Sequence, residues 1–246
     1  FFNFELFSMF FTKSIDLSHA GLPISLKDDM LDYTNDVVLA HAKEARIIDQ
    51  VRPYFRDTDA VTDIREVYWM YRGIALRAHQ ALFNEHELRY DITVIAPGVA
   101  GREFYKTIGH FHAQKPGTEL SYPELYEVLY GHALFLFQRN ADVYGILAGA
   151  REKVVVPPGF GHVTVNIGST PLVVANLFHD HVASLYDFYT THRGAAYYVL
   201  STELSRATDA RHSFAVEKNP LYDSHSLLRM AVPREIRALH IDFHTP

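Results

Sequence analysis

From residue 89 onward, apolar and polar residues alternate in short runs, and each run stops at a turn-forming residue. Arg89–Ile95 alternates and ends at Pro97-Gly98. Runs at Leu125–Leu129, Ala133–Phe137, Asp142–Leu147, Lys153–Val156, His162–Ile167 and Leu172–Phe178 follow, rich in Val, Tyr and Phe and separated by Gly, Pro or Asn. A period of two sends successive side chains to opposite faces, which predicts strands with one face on a core. No helix-length pattern separates them, so an antiparallel sandwich or barrel is expected rather than a parallel βαβ sheet. Val67, Trp69 and Tyr71 alternate within Arg65–Tyr71 and predict one strand upstream; Ala196–Leu200 and His212–Val216 predict two downstream. Asp28–Val51 reads differently. Met30, Leu31, Val38, Ala42, Ala45 and Ile48 are spread at steps of about three and four, which predicts an amphipathic helix. The expected architecture is an all-β core with a peripheral N-terminal helical segment.

Composition narrows the chemistry. The chain of 246 residues, 48% hydrophobic and 21% charged, has the make-up of a folded protein and a length compatible with one large domain. It has no cysteine, which excludes disulfide scaffolds, thiolate metal sites and cysteine nucleophiles together. A net charge of −6 disfavours nucleic acid and anionic membranes as partners. Phe1–Phe11 is broken by Asn3, Glu5 and Ser8 and has no basic flank, so it reads neither as a membrane span nor as a signal peptide. A cytoplasmic enzyme is the expectation. Histidine is the unusual residue, with 15 copies, and imidazole without thiol directs the search to histidine–carboxylate metal sites.

One constellation answers that search. In Gly109-His110-Phe111-His112, a strand would project both imidazoles into one space. Pro123-Glu124-Leu125-Tyr126 opens a second strand, with Gly131 six residues beyond its Leu125. Pro157-Pro158-Gly159-Phe160-Gly161-His162, followed by Asn166, would deliver a third imidazole from the opposite sheet. Three imidazoles and one carboxylate suit a divalent ion that keeps two positions for substrate. Tyr126, one strand step from Glu124, shares its face, as a core aromatic or as a hydroxyl facing substrate. Neither G-x-S-x-G nor G-x-x-x-x-G-K-[ST] occurs, so serine-hydrolase and P-loop readings have no support.

In order, HxH, a glutamate ahead of a glycine, and P-x-G-x-x-H-x-x-x-N resemble the paired motifs of the cupin superfamily, whose members are jelly-roll β-barrels. A narrower resemblance follows from the flanking residues. Thr93-Val94, Pro97-Gly98, Gly101-Arg102-Glu103-Phe104-Tyr105, Thr107, Gly109 to His112, Pro123 to Leu129, and Pro157-Pro158 through Gly168 resemble cupin-type phosphoglucose isomerases, the metal-dependent archaeal and bacterial form. The match is dense over 89–178 and fainter from 46 to 220. It divides the chain into an extension 1–45, a domain 46–222 and an extension 223–246.

The resemblance implies a reversible conversion between glucose 6-phosphate and fructose 6-phosphate through an enediolate, by a cytoplasmic homodimer. It places a divalent metal, ferrous iron first and manganese, nickel or zinc as replacements, on His110, His112, Glu124 and His162. It places substrate phosphate on Thr93, Thr107, Gly109 and Tyr186, and it makes Glu124 and Tyr126 the candidate catalytic pair. Three departures stand out. Phe178 replaces a family tyrosine, a glycine-histidine-aspartate-tyrosine run reads Ala183-Ser184-Leu185-Tyr186, and five extra residues separate His112 from Glu124. With that insertion, spacing alone favours Glu119 as the ligand. Glu119, however, follows the turn-rich Lys115-Pro116-Gly117-Thr118, whereas Glu124 starts a strand, so Glu124 is expected. His179-Asp180-His181 repeats the HxH spacing but follows a strand end and is read as rim. Competing readings are another metal-dependent cupin enzyme, such as a different sugar isomerase or an iron dioxygenase, and a non-catalytic sugar-binding cupin, which would not need four intact ligands.

Overall fold

A computed structural model describes residues 14–58, 65–140, 142–202, 213–222 and 227–231. The stretch Phe1–Phe11, His212 and almost all of the expected extension 223–246 lie outside the described residues. Ten strands carry the architecture: β1 (Glu44–Ile47), β2 (Glu66–Tyr71), β3 (Leu88–Ile95), β4 (Glu124–Tyr130), β5 (His132–Arg139), β6 (Asp142–Gly149), β7 (Lys153–Val156), β8 (Gly161–Asn166), β9 (Leu172–His179) and β10 (Leu227–Ala231). One sheet has the antiparallel order β7-β4-β9-β3-β2-β1. The other has the order β8-β5-β6-β10, antiparallel except for the β6–β10 pair. The strands expected between 65 and 178 are all present, and the core is all-β. Pairing among the described residues yields two facing sheets rather than one closed ring.

The period-two pattern explains the layers. Tyr68, Ile95, Tyr126, Val128 and Val174 of the first sheet meet Ala133, Phe135, Phe137, Ile146 and Ala148 of the second, forming the apolar part of the interior. The alternate residues Leu134, Leu136, Val163 and Val165 face outward and are covered by Phe104, Tyr189, Ala195 and Val199. On the far side of the first sheet, Trp69, Tyr71, Ile92, Val94, Val173 and Ala175 are covered by Leu17, Leu22, Ile24, Leu26, Leu31 and Val37.

That cover corrects the reading of Asp28–Val51 as one helix. The segment holds the strands Met30–Tyr33, Val37–Leu39 and β1, and only the single turn Ile48–Val51 is helical. Ile24–Lys27 and Met30–Tyr33 form a hairpin through Asp28 and Asp29, both left-handed at φ 50° and 61°. Two successive positive-φ residues are what a tight hairpin turn requires. The three- and four-residue apolar steps do not mark one face: Met30, Leu31 and Ala45 pack on the outer sheet face, Ile48 enters the interior between the sheets, and Ala42 is exposed. Among the described residues, no helix is long and apolar enough to cross a membrane.

Asn166, the last residue of β8, ties the two sheets together. Its Nδ2 lies 3.0 Å from Ile95 O at the end of β3, 3.2 Å from Ala96 O and 2.9 Å from Thr170 O, while its Oδ1 accepts from Gly168 N at 3.0 Å. The residue is fully buried, so its loss would leave several backbone groups dry and unpaired. Asn166→Ala is expected to cost about 2–4 kcal/mol, since each orphaned group costs roughly 1–3 kcal/mol. Asn166→Asp should rescue little, because it offers acceptors to carbonyls. Urea unfolding checks this through a lower midpoint at unchanged slope.

Candidate metal centre

The site is assembled by a backbone pairing outside the ten strands. Residues 105–110 run antiparallel along β8. Asn166 N donates to Tyr105 O at 2.9 Å, Thr107 N to Thr164 O at 2.9 Å, and His162 N to His110 O at 3.0 Å. The Thr107 hydroxyl accepts from Thr164 N at 3.0 Å. Phe111-His112 then pairs with Ser184-Leu185. Gly109 is required here, because a Cβ at that position would lie 2.3 Å from the Tyr189 ring and 2.6 Å from Val163. The run is extended, so both His110 and His112 reach the interior that His162 enters from β8 and Glu124 from β4.

One donor atom from each of His110, His112, Glu124 and His162 lies within 4.8 Å of all the others. The His112 and His162 Nε2 atoms stand 3.3 and 3.0 Å from Glu124 Oε2. Despite these distances, Glu124 Oε2 and His162 Nε2 are buried without a hydrogen-bond partner. Tyr122 O lies 2.8 Å from His112 Nδ1. A carbonyl can only accept, so Nδ1 carries the proton and a neutral His112 presents its Nε2 lone pair toward the carboxylate. Lone pairs converging on a dry carboxylate oxygen fit a cation, and the donor set is one that divalent first-row ions accept. Asn176 Nδ2 donates to Glu124 Oε1 at 2.7 Å and leaves Oε2 directed at the imidazoles.

Protons compete with a cation for these lone pairs. Burial opposes ionisation of Glu124, but hydrogen bonds and charge from His112 and His162 in their protonated forms outweigh it and hold the carboxyl far below its usual range. Burial likewise opposes protonation of His112, but Glu124 outweighs it and raises that imidazole. Burial, reinforced by the adjacent His162, drives the His110 imidazole down, which favours the neutral ligand form. Burial and the Glu124 charge push the Tyr126 hydroxyl well above its ordinary value, so it stays a proton donor.

His110, His112 and Glu124 line a cavity of about 80 Å³ that opens to solvent, and His162 stands behind them, buried. Thr93, Thr107, Tyr126 and Tyr186 line it, and the Tyr186 ring lies 5.4 Å from that of His110. Gly109 is packed behind the wall against Tyr189 rather than lining it. Phe178 stacks on His112 with ring centroids 6.2 Å apart. Glu119 is exposed in the 114–121 turn, with its carbonyl accepting from Gln114 Nε2. His179 and His181 lie outside the cluster, against the exposed Glu87. Sequence reasoning missed Asn176, Asp91, Arg89 and Arg72, all of which line the cavity. Asn176 and Asp91 carried a readable signal: each is a polar residue on the inward phase of an otherwise apolar strand.

The model of a protein family described as glucose-6-phosphate isomerase (GPI) matches residues 47–214. The chain belongs to the glucose-6-phosphate isomerase family. Among its curated relatives, glucose-6-phosphate isomerase of Pyrococcus furiosus is 30% identical over 151 residues, covering 60% of this chain and 76% of the relative. Glucose-6-phosphate isomerase of Thermococcus kodakarensis is 28% identical over 153 residues, covering 60% and 75%. Solved structures with partial likeness include an oxalate oxidase, at TM-score 0.38 and 17% identity over 48% of this chain and 54% of that one. An oxalate decarboxylase aligns at TM-score 0.38 and 21% identity over 50% and 28%.

In this glucose-6-phosphate isomerase family member, the buried glutamate of the cluster is separable from the exposed one by mutation. Glu124→Gln is expected to lower turnover by at least about a hundredfold, the lower range for losing an acid–base group, and to lower bound metal. Glu119→Gln should leave both near the parent level. Metal content by elemental analysis, measured beside the rate in each variant, checks the pair; the opposite pattern would move the ligand to Glu119.

Proposed function

We propose that this chain is a metal-dependent isomerase that interconverts glucose 6-phosphate and fructose 6-phosphate. The observation that carries the reading is the His110, His112, Glu124 and His162 cluster, in which Glu124 Oε2 and His162 Nε2 are dry and unpaired, in a chain matched by the glucose-6-phosphate isomerase family over 47–214. These four residues would hold the ion, with ferrous iron proposed first and manganese, nickel or zinc as replacements, because a histidine-rich set with one carboxylate accepts each of them. When bound, the ion supplies positive charge that polarises the sugar carbonyl and stabilises negative charge on the first two oxygens. The same family resemblance supports a homodimer in the cytoplasm.

The chain's own groups do the rest. Aldose–ketose conversion moves one proton between adjacent carbons as the second proton relocates between their oxygens, through an enediolate. Glu124 is assigned that proton transfer, and its orientation is fixed by Asn176 at Oε1. The Tyr126 hydroxyl, kept protonated by burial, is assigned as donor to a sugar oxygen. Phe178 closes the wall beside His112 with an apolar ring where a hydroxyl would attract water. Thr93, Thr107 and Tyr186 offer hydroxyls to the phosphate from the cavity wall.

A coupled assay with fructose 6-phosphate tests this directly. Chelation should abolish turnover, and ferrous or manganous ion should restore it at least as well as zinc. Full turnover by protein shown to be metal-free would refute the proposal.

Thr93 tests the phosphate assignment more cleanly than Thr107, whose hydroxyl also satisfies Thr164 N. Thr93→Val is expected to raise KM for fructose 6-phosphate about tenfold or more, the effect of one charge-assisted hydrogen bond. Metal content should be unchanged, and unphosphorylated fructose should be a far poorer substrate of the parent protein.

A further inference from the structure

Two guanidiniums line the cavity, and they differ in what already holds them. Arg89 is neutralised: its Nε reaches both oxygens of Asp91 at 3.1 and 3.2 Å, and its Nη1 reaches Asp180 at 3.3 Å. Arg72 is held more loosely. Its Nε is buried with no hydrogen-bond partner among the described residues. Its Nη2 donates to the weak acceptor Met70 Sδ at 3.3 Å and makes a long, partly exposed ion pair with the Glu44 carboxylate at 3.8 Å. A dry guanidinium N–H on a residue that lines the cavity lacks the partner that buried donors normally have.

The position of Arg72 is built in. Asp91 Oδ1 accepts from Gly73 N at 2.8 Å and pins the turn next to Arg72. Gly73 is left-handed at φ +62°, and a Cβ there would lie 2.5 Å from Ala40 Cβ. Across the sheet, Tyr126 on β4 pairs with Asn176 on β9, and Asn176 with Asp91 on β3. Met70 on β2 pairs with Thr93, so Arg72, two residues on, lies level with Asp91. Three strand steps from β4 to β2 set roughly 14 Å between backbones, so Arg72 stands well apart from Glu124 across the cavity.

We propose that Arg72 is the charged anion-recognition group of this cavity, taking the phosphate dianion of the substrate while the His–Glu cluster takes the carbonyl end. This rests on the sugar-phosphate reading above and adds to it a residue that gives preference for a dianionic terminus. A planar guanidinium donates two parallel bonds to phosphate oxygens, which hydroxyl groups cannot do.

The test uses the metal-loaded protein with three probes: fructose 6-phosphate, inorganic phosphate and fructose. Arg72→Gln should raise KM for fructose 6-phosphate, and the inhibition constant of inorganic phosphate, by about thirtyfold, with kcat within about threefold. Its weak interaction with fructose should not change. Arg72→Lys, which keeps the charge and loses the fork, should fall between the two and keeps the test available if the glutamine variant does not fold. Unchanged phosphate affinity in the folded variants would overturn the proposal. If the parent turned over no fructose 6-phosphate yet bound inorganic phosphate in an Arg72-dependent manner, the anion site would stand and the isomerase reading would fall.

Discussion

Residues 105–110 lie along β8 through four backbone hydrogen bonds and the Thr107 hydroxyl, and His110, His112 and Thr107 inherit their positions from that contact. The pairing sets His110 and His162 opposite each other and carries His112 one step further, to where Tyr122 O fixes its tautomer. It also turns Thr107 toward the same space. The pairing survives only because Gly109 has no side chain to collide with Tyr189 and Val163. A slip of one residue would reverse the facing of every side chain in the run. The three imidazoles and the Thr107 hydroxyl are thus set by one register.

The strands from 65 to 178 were legible in the sequence because each has one face on a core, and alternation is the direct imprint of that burial. The segment 28–51 was misread for the complementary reason. Its strands are only three or four residues long, too short to establish a period, and what holds them is the apolar outer face of the first sheet, assembled from residues far along the chain. The four cluster residues could be read from spacing and neighbouring turns, and their convergence has the geometry that strand alternation anticipates. Arg72 gave no comparable signal. It stands after a strand end, and only the β2–β3 register brings it to the cavity.

The polar groups in this interior form a row rather than a scatter. Tyr126, Asn176, Asp91 and Arg72 occupy equivalent levels on four adjacent strands, with Glu124, Phe178 and Arg89 in the next row. Burial raises the Asp91 carboxyl, and Arg89 works against that rise. Asp91 therefore serves as an internal counterion: it takes up one guanidinium and orders the turn beside the other. Asn176 plays the equivalent neutral role at the opposite end, holding one oxygen of Glu124. Glu124 Oε2 beside one end of the row and Arg72 Nε at the other are buried without a hydrogen-bond partner among the described residues.

The hairpin of residues 24–33 has a consequence for assembly. With Val37 just beyond it, its Leu26 and Leu31 cover Trp69, Ile92 and Val94 of the same chain, although the family match begins only at residue 47. A β-sheet face this apolar would otherwise be adhesive, open to a neighbouring subunit or to aggregation. Here the chain plugs it with its own N-terminal segment. A second copy could reach that surface only by exchanging hairpins, so side-by-side association without such a swap has to use another part of the molecule.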